Sequence, residues 1–294
     1  MDPSILILGA TQGVGRSVIE RLTGDPVLHQ GQVYAISRHK CPAPSASHGA
    51  IQWHRCDLSG EVTLPSATFW VSAGPINLLL RGLQHSSAQQ PKAIWALSSA
   101  STEFKAESAS AKERAQMQSI VSCERALVQH CQRHGIRLQL FKTTLLYGRG
   151  DHNVNRLDQL IRRLRVIPIV GAGRRAPVHV DDVAALMVAD LVRVCQGQPK
   201  ASGTWYLQGD EILSYPSMIE RIARFRGHRC WSVRIPLRPI QTALQLAHAV
   251  GLLADIDLTM LSRQSMDLLV DDQPARTQLG WAPRRFEPYP DKGL

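Results

Sequence analysis

The chain has 294 residues, 44% of them hydrophobic and 20% charged, and its 34 lysines and arginines against 24 acidic residues give a net charge of +10. Such a length and apolar share suit one large α/β unit or a nucleotide domain with a smaller cap, and they exclude a disordered chain. The six cysteines (Cys41, Cys56, Cys123, Cys131, Cys195 and Cys230) form no Cys-x-x-Cys pair, which excludes a disulfide framework and points to reduced thiols in the cytoplasm.

Asp2 and Pro3 lead straight into an apolar run, so no signal peptide is expected. That run, Ile5-Leu-Ile-Leu8, is of strand type. It passes into Gly9-Ala-Thr-Gln-Gly13-Val-Gly15 and then into a segment where Val18, Ile19 and Leu22 recur at helical spacing. A strand, a glycine turn and a helix in this order seat a dinucleotide pyrophosphate on a helix N-terminus, where free N–H groups and the helix dipole meet its charge. Gly9 then allows the tight turn, Gly13 the approach of phosphate, and Gly15 the packing of helix on strand. The same loop supplies Thr11, Gln12 and Val14 as cofactor contacts.

Further strand patterns stand at 32–37, 50–55, 67–71, 93–97 and 137–141, with a long helix over about 112–134 before the last. Strands alternating with helices predict a parallel, doubly wound α/β sheet with right-handed crossovers, whose ligands bind beyond the carboxyl ends of the strands. Polar clusters fall at those ends: Cys56-Asp57-Leu58, Ser72-Ala73-Gly74, Ser98-Ser99-Ala100-Ser101 and Tyr147-Gly148. Pro168, Gly171 and Gly173 then interrupt the chain before His179-Val-Asp-Asp-Val183, where another helix begins. Helical patterns follow at 214–227 and 240–256. The second, broken by Gln241, Gln245, His248 and Asp255, is too polar to span a bilayer. Residues 1–150 are expected to bind the cofactor. Residues 151–294 are expected to complete the sheet and form a smaller substrate lobe.

Together these motifs resemble the short-chain dehydrogenase/reductase superfamily, and within it the extended branch of nucleotide-sugar epimerases, dehydratases and reductases. Beside the glycine turn, Asp57-Leu58 is similar to the acid-plus-apolar pair placed at the adenine, and Ser72-Ala73-Gly74 stands where the fourth strand meets the cofactor. Lys142-Thr-Thr-Leu-Leu-Tyr147-Gly148 resembles the family's Arg-Pro-x-x-x-Tyr-Gly segment, and Val178-His-Val-Asp-Asp182-Val-Ala its Val-His-Val-x-Asp-Val-Ala signature. Trp281-Ala-Pro-Arg284-Arg-Phe286 resembles its usual ending. Gln12 departs from the pattern, which usually has a further glycine there. The resemblance implies a Rossmann-type fold with an NAD(P) site that also takes in Ser98 and Thr143.

NAD binders of this type place a carboxylate after the second strand to hold the ribose hydroxyls. Here the place reads Ser37-Arg38-His39-Lys40, without an acid. A guanidinium forks onto a 2′-phosphate, so Arg38 favours NADP, with NAD the alternative.

Active members of the family carry a serine or threonine after the fifth strand and then Tyr-x-x-x-Lys on one face of the next helix, the lysine lowering the tyrosine pKa. Ser99 and Ser101 supply the hydroxyls. Glu124 resembles the acid that follows the lysine by four residues, and counting back from it puts Ile120 at the lysine place and Gln116 at the tyrosine place. No tyrosine occurs between Tyr34 and Tyr147. Lys105, Lys112 and Glu113 are the nearby groups weighed as substitutes, with Lys105 preferred. Lys105, Lys112 and Glu113 also suit an ordinary solvated loop and first helical turn, where Glu113 favours the dipole.

For the substrate, Arg175 stands four residues before His179, where extended members often grip a nucleotide-sugar diphosphate. Asn153 and Asn155 follow Gly148-Arg-Gly-Asp151 and are candidates for the same group or for helix capping. His179 and Asp182 are expected to be structural. The expected activity is an NAD(P)-dependent oxidoreductase or epimerase on a nucleotide sugar of the cell-envelope polysaccharide type. The rival is a non-catalytic NADP-binding sensor or scaffold. A homodimer through the long helix fits the resemblance. No metal site, no nucleic-acid partner and no transmembrane segment are expected. The local charge peak at Arg156, Arg162, Arg163, Arg165, Arg174 and Arg175 has no interleaved aromatics, and it suits a solvated surface or a diphosphate site.

Overall fold

The computed structural model describes residues 3–11, 13–25, 31–38, 51–60, 63–85, 90–108, 110–151, 153–225, 227, 231–236 and 263–288. Seven short runs rich in β-branched, aromatic and leucine side chains lie side by side: β1 (Ser4–Leu8), β2 (Gln32–Ser37), β3 (Ile51–Arg55), β4 (Phe69–Ser72), β5 (Ala93–Ser99), β6 (Arg137–Thr143) and β11 (Gly203–Leu207). Their order across the sheet is β11-β6-β5-β4-β1-β2-β3, and every neighbouring pair is parallel. A parallel sheet of this kind needs cover on both faces.

The side-chain alternation supplies it. Ile5, Ile7, Trp95 and Phe141 point to one face, against Val18, Ile19 and Leu22 of α1 (Gly13–Gly24) and Val183, Met187 and Leu191 of α6 (Val180–Cys195). Leu6, Leu8, Ile94, Leu138 and Leu140 point to the other. There they meet Leu79 and Leu83 of α2 (Ile76–His85) and Leu127 and Cys131 of α4 (Ala111–His134). Both α1 and α4 match their expected spans within a few residues. Ser110 caps α4 by accepting from the Glu113 N–H at 3.4 Å, and Gly135, with φ of +63°, ends it in the left-handed conformation.

Beyond β6 the chain builds a smaller group of elements. These are β7 (Leu146–Tyr147), α5 (Asn153–Leu164), β8 (Val166–Ile169), β9 (Arg174–Arg175), β10 (Val178–His179), β12 (Leu213–Ser214), α7 (Tyr215–Phe225), β13 (Trp231–Arg234) and α8 (Gln273–Leu279). Tyr147, Ile161, Ile167, Ile169, Ile219, Ile222 and Phe286 form a separate core among them. The helical pattern at 240–256 lies outside the described residues. On the main sheet, Asp190 of α6 is fully buried and accepts hydrogen bonds from Trp95 Nε1 at 2.7 Å and Arg137 Nη2 at 2.8 Å. These bonds tie α6 to β5 and β6.

Strand β1 is the switch point, with β2 on one side and β4 on the other. The turn that leaves it is held together by absent side chains. A Cβ at Gly15 would stand 2.1 Å from the Gly9 carbonyl oxygen. Gly15→Ala is therefore expected to lower unfolding stability by about 3 kcal/mol through overpacking. Gly24→Ala, at the exposed end of the same helix with nothing within 4 Å of the new carbon, is expected to raise it by about 0.5 kcal/mol. Urea denaturation followed by circular dichroism distinguishes the two.

Candidate functional site

The glycine turn crosses the top of the sheet at β1. Gly9 and Gly13 have φ of +74° and +50°, values that L side chains resist. A Cβ on Gly9 would lie 2.8 Å from the Gly74 nitrogen, so the β1 and β4 ends touch through bare backbone. A Cβ on Gly13 would meet nothing nearer than 4.0 Å, from the Arg149 oxygen and Val180 Cγ1, so the turn is open there. The N–H groups at the start of α1 have no helical partners. An open glycine turn over a helix N-terminus fits a diphosphate. Val14 is buried beneath it and Thr11 is half-buried, while Gln12 lies outside the described residues.

At the far side of β1, Arg38 is exposed just after β2, and Asp57 is exposed just after β3 with Leu58 buried beside it. The Ser59 N–H and hydroxyl donate to Asp57 Oδ1 at 2.9 and 2.7 Å. These bonds first, and then the charges of Arg38 and Arg81, hold the Asp57 carboxyl below its ordinary value. Ser72 ends β4, and the Ala73 N–H donates to the Leu8 carbonyl at 3.0 Å. Of the expected cofactor residues, the fold therefore gathers Gly9, Gly13, Gly15, Ser72, Ala73 and Gly74 at one edge, with Arg38 and Asp57 at its outer end.

A cleft of about 680 Å³ opens from Gly74 along the carboxyl ends of β5 and β6. Gly74, Ser98, Ser99, Ser101, Lys105, Thr143 and Arg175, all singled out in the sequence, line it. Gln116, Ile120 and Cys123 of α4 form the opposing wall. Ser99 Oγ accepts from the Ser101 N–H at 3.1 Å. The Lys105 ammonium stands 3.7 Å from Glu113 Oε1, and Glu113 in turn accepts from the Ser108 hydroxyl at 2.7 Å. Arg175 is buried, and its Nη1 donates to the carbonyls of Arg174, at 2.9 Å, and Met266. Asn155 is not in the cleft lining. It belongs to the start of α5, where its amide donates to the Asp151 carbonyl at 2.7 Å while Asp151 caps the Val154 N–H. Nothing is described of the Asn153 side chain.

Behind Ser98 lies a polar network that sequence reasoning missed. Ser98 Oγ donates to Glu124 Oε1 at 2.5 Å. Lys142 Nζ donates to Glu124 Oε2 at 3.1 Å and to Glu103 Oε1 at 2.7 Å, and Tyr206 Oη donates to Glu103 Oε1 at 3.0 Å. The signal was a lysine inside the apolar strand run Leu138-Gln-Leu-Phe-Lys142. Burial pulls the Lys142 pKa down, but its bond to Glu103 and the charge of Glu124 outweigh this and raise it overall. The Lys142 bond lowers the pKa of Glu103. Tyr206 faces Lys142 across the β6–β11 pair, the ammonium lying 5.5 Å from its ring centre. Burial, and then the bond to Glu103, raise the Tyr206 hydroxyl pKa, and neither Tyr206 nor Lys142 lines the cleft.

His179 and Asp182 serve the lobe. His179 Nδ1 accepts from the Asp181 N–H at 3.2 Å and so caps α6, and Asp182 pairs with Arg284 at 2.7 Å. The Tyr147 hydroxyl donates to the Arg285 carbonyl at 3.2 Å, and its ring packs on His179 and Phe286. The Tyr147, His179–Asp182 and Trp281–Phe286 motifs, far apart in sequence, thus make one joint.

A parallel sheet of this order, with a glycine turn at its switch point, defines a Rossmann-type α/β protein. Solved structures that share this fold include UDP-sugar 4-epimerases. A UDP-glucose 4-epimerase shares 15% identity with a TM-score of 0.69, over 96% of this chain and 92% of that one. The UDP-glucuronic acid 4-epimerase of Bacillus cereus, in complex with NAD, shares 14% identity with a TM-score of 0.67, over 96% and 93%. The UDP-N-acetylglucosamine 4-epimerase of the same organism shares 13% identity with a TM-score of 0.65, over 97% and 92%. No protein-family model matches the chain, and no curated protein matches it in sequence.

Lys142→Met is expected to leave Glu124 buried without its cation and to cost about 3–5 kcal/mol of unfolding stability. Adding Glu124→Gln should restore part of that loss, as measured by urea denaturation. The raised Lys142 pKa means that its contribution is complete below the ordinary 10.5 and is lost as pH climbs through the higher folded value. The lowered Glu103 pKa means that its contribution is complete above the ordinary 4.5 and is lost as pH falls through the lower folded value.

Proposed function

We propose that the chain binds a nicotinamide dinucleotide on the glycine turn and a nucleotide sugar in the adjoining cleft. On this reading it is an NAD(P)-dependent oxidoreductase or epimerase of the cell-envelope polysaccharide type. The observation that carries this is Gly74, which both abuts Gly9 of the turn and lines the cleft. A dinucleotide laid across the turn would then place its nicotinamide end beside Ser98, Ser99 and Thr143. When bound, that ring gives or takes a hydride at a sugar carbon. The N–H groups of the 9–15 turn hold the pyrophosphate, Asp57 and Leu58 flank the adenine, and Arg38 forks onto a 2′-phosphate. Arg175, oriented by two backbone carbonyls, meets the diphosphate of the sugar nucleotide. Ser99 and Ser101 orient the sugar hydroxyl, and Lys105, poised by Glu113, exchanges its proton. A dimer through α4 and a cytoplasmic location go with the same reading.

Gln116 and Ile120 favour a second reading. They line the cleft wall at the places where the resemblance expects tyrosine and lysine, and neither side chain exchanges protons. On this reading the chain binds NADP without turnover, as a sensor or scaffold.

Incubation with NAD or NADP and a panel of UDP-sugars separates the two readings. Formation of reduced nicotinamide or of the epimeric sugar supports the enzyme. Calorimetric binding of cofactor without turnover on any sugar supports the sensor. Arg38→Ala is expected to weaken NADPH binding about tenfold or more while leaving NADH binding within about twofold, since one charge-assisted phosphate contact contributes about 1.5–3 kcal/mol. Equal losses would remove the preference for NADP.

A further inference from the structure

The β8–β13 ribbon and the arginine face of α5 have no part in the cleft. In α5, Val154, Leu157 and Ile161 turn into the smaller core, which leaves Arg156, Arg162 and Arg163 exposed on the outside. Arg165 follows, exposed, in the turn to β8. Among the described residues no carboxylate forms an ion pair with any of the four, and half-buried Asp158 is the one acid on the helix.

The tertiary fold brings an apolar edge to this charge. The Trp231 N–H donates to the Arg165 carbonyl at 2.9 Å, so β13 starts at the foot of the arginine helix. Trp231 is 75% exposed and Val233 43%. Alternation puts these two on one face of β13. Ser232, on the other, donates to Glu220 of α7 at 3.5 Å, so Glu220 lies on the side away from Trp231. At the end of the ribbon, Ile169, Val170, Ile235 and Pro236 line a pocket of about 450 Å³, with Arg234 its one charged lining residue among those described.

We infer that this face docks on an anionic phospholipid surface. The arginines would sit at headgroup level and Trp231 and Val233 at the interface with the acyl region. An exposed tryptophan beside arginines that no described carboxylate pairs matches the chemistry of that boundary, where an indole finds apolar and wet surroundings together. Each basic group near an anionic surface strengthens binding about fivefold. The net charge of +10 adds long-range attraction. A single-stranded nucleic acid would ask for a row of aromatic platforms. Here Trp231 is the one aromatic residue of the two ribbon strands, which favours lipid. Among the described residues no helix is long and apolar enough to cross a membrane.

The test is co-sedimentation of the full chain with vesicles of equal parts phosphatidylglycerol and phosphatidylcholine, and with vesicles of phosphatidylcholine alone. Binding is expected only to the anionic vesicles, and it should weaken steeply with salt. The double variant R162Q/R163Q is expected to weaken it about twentyfold, and W231S by about tenfold, with the circular dichroism of both unchanged. The Trp231 emission, taken as the difference between wild type and W231F, should shift to the blue on vesicle addition. Any of four results would overturn the inference. These are equal binding to both vesicle types, variants that bind like wild type, tighter binding to a single-stranded oligonucleotide than to anionic vesicles, or a Trp231 shielded from acrylamide before lipid is added.

Discussion

The contact between Gly15 and the Gly9 carbonyl fixes the rest of this molecule. With only hydrogen atoms between them, the first helix can start directly against the end of the first strand. That close start turns the helix N-terminus over the sheet edge and leaves Gly13 open above it. The β1–β4 pairing in turn brings Gly9 against Gly74 and so joins the turn to the cleft along β5 and β6. A side chain at Gly15 would push the helix away from the strand, one at Gly9 would push the turn away from Gly74, and either would break the shared edge.

The cleft has an unusual division of labour. Its floor carries serine and threonine at the strand ends and an arginine held by carbonyls, set among apolar residues such as Leu97, Leu145 and Leu146. Its helical wall carries glutamine, isoleucine and cysteine where acid–base groups would be useful. The strongest charges nearby, on Lys142, Glu103 and Glu124, are turned toward one another behind Ser98. Lys142 and Glu124 satisfy each other in a buried place, where an unpaired charge would be costly, and the exposed Glu103 adds a second carboxylate from the rim. Their arrangement fixes Ser98 and ties α3 (Ser101–Phe104), α4 and β6 into one unit. It orders the floor of the cleft without contributing to its lining.

The parallel sheet, its first six strands and the glycine turn were legible because they rest on local rules. Two-residue alternation, helical spacing and a glycine at a left-handed position each act over a few residues. Ser98 and Ser99 were legible as neighbours of the turn, because strand ends in a doubly wound sheet converge on one edge, whereas Arg175 reaches the same cleft from β9 of the smaller group. Asn155 was ambiguous for the opposite reason. An asparagine after Asp151 suits a helix start as well as a ligand, and only the position of its amide, on the Asp151 carbonyl, separates the two. The Lys142 network was hidden because Glu103, Glu124 and Tyr206 come from three separate segments.

By itself the sequence determined what short-range stereochemistry determines: a glycine turn, alternating strands and helices, and an edge where polar residues collect. Only the tertiary structure decided which distant groups share a surface. Trp231 and Arg165 are far apart along the chain and meet through one backbone hydrogen bond between β13 and the start of β8. The linear arginine peak shows no aromatic partner, and the folded one has an exposed indole at its foot. Pairing between remote strands depends on register and on the burial of Ile167 and Ile169 beneath them, and no local pattern records either.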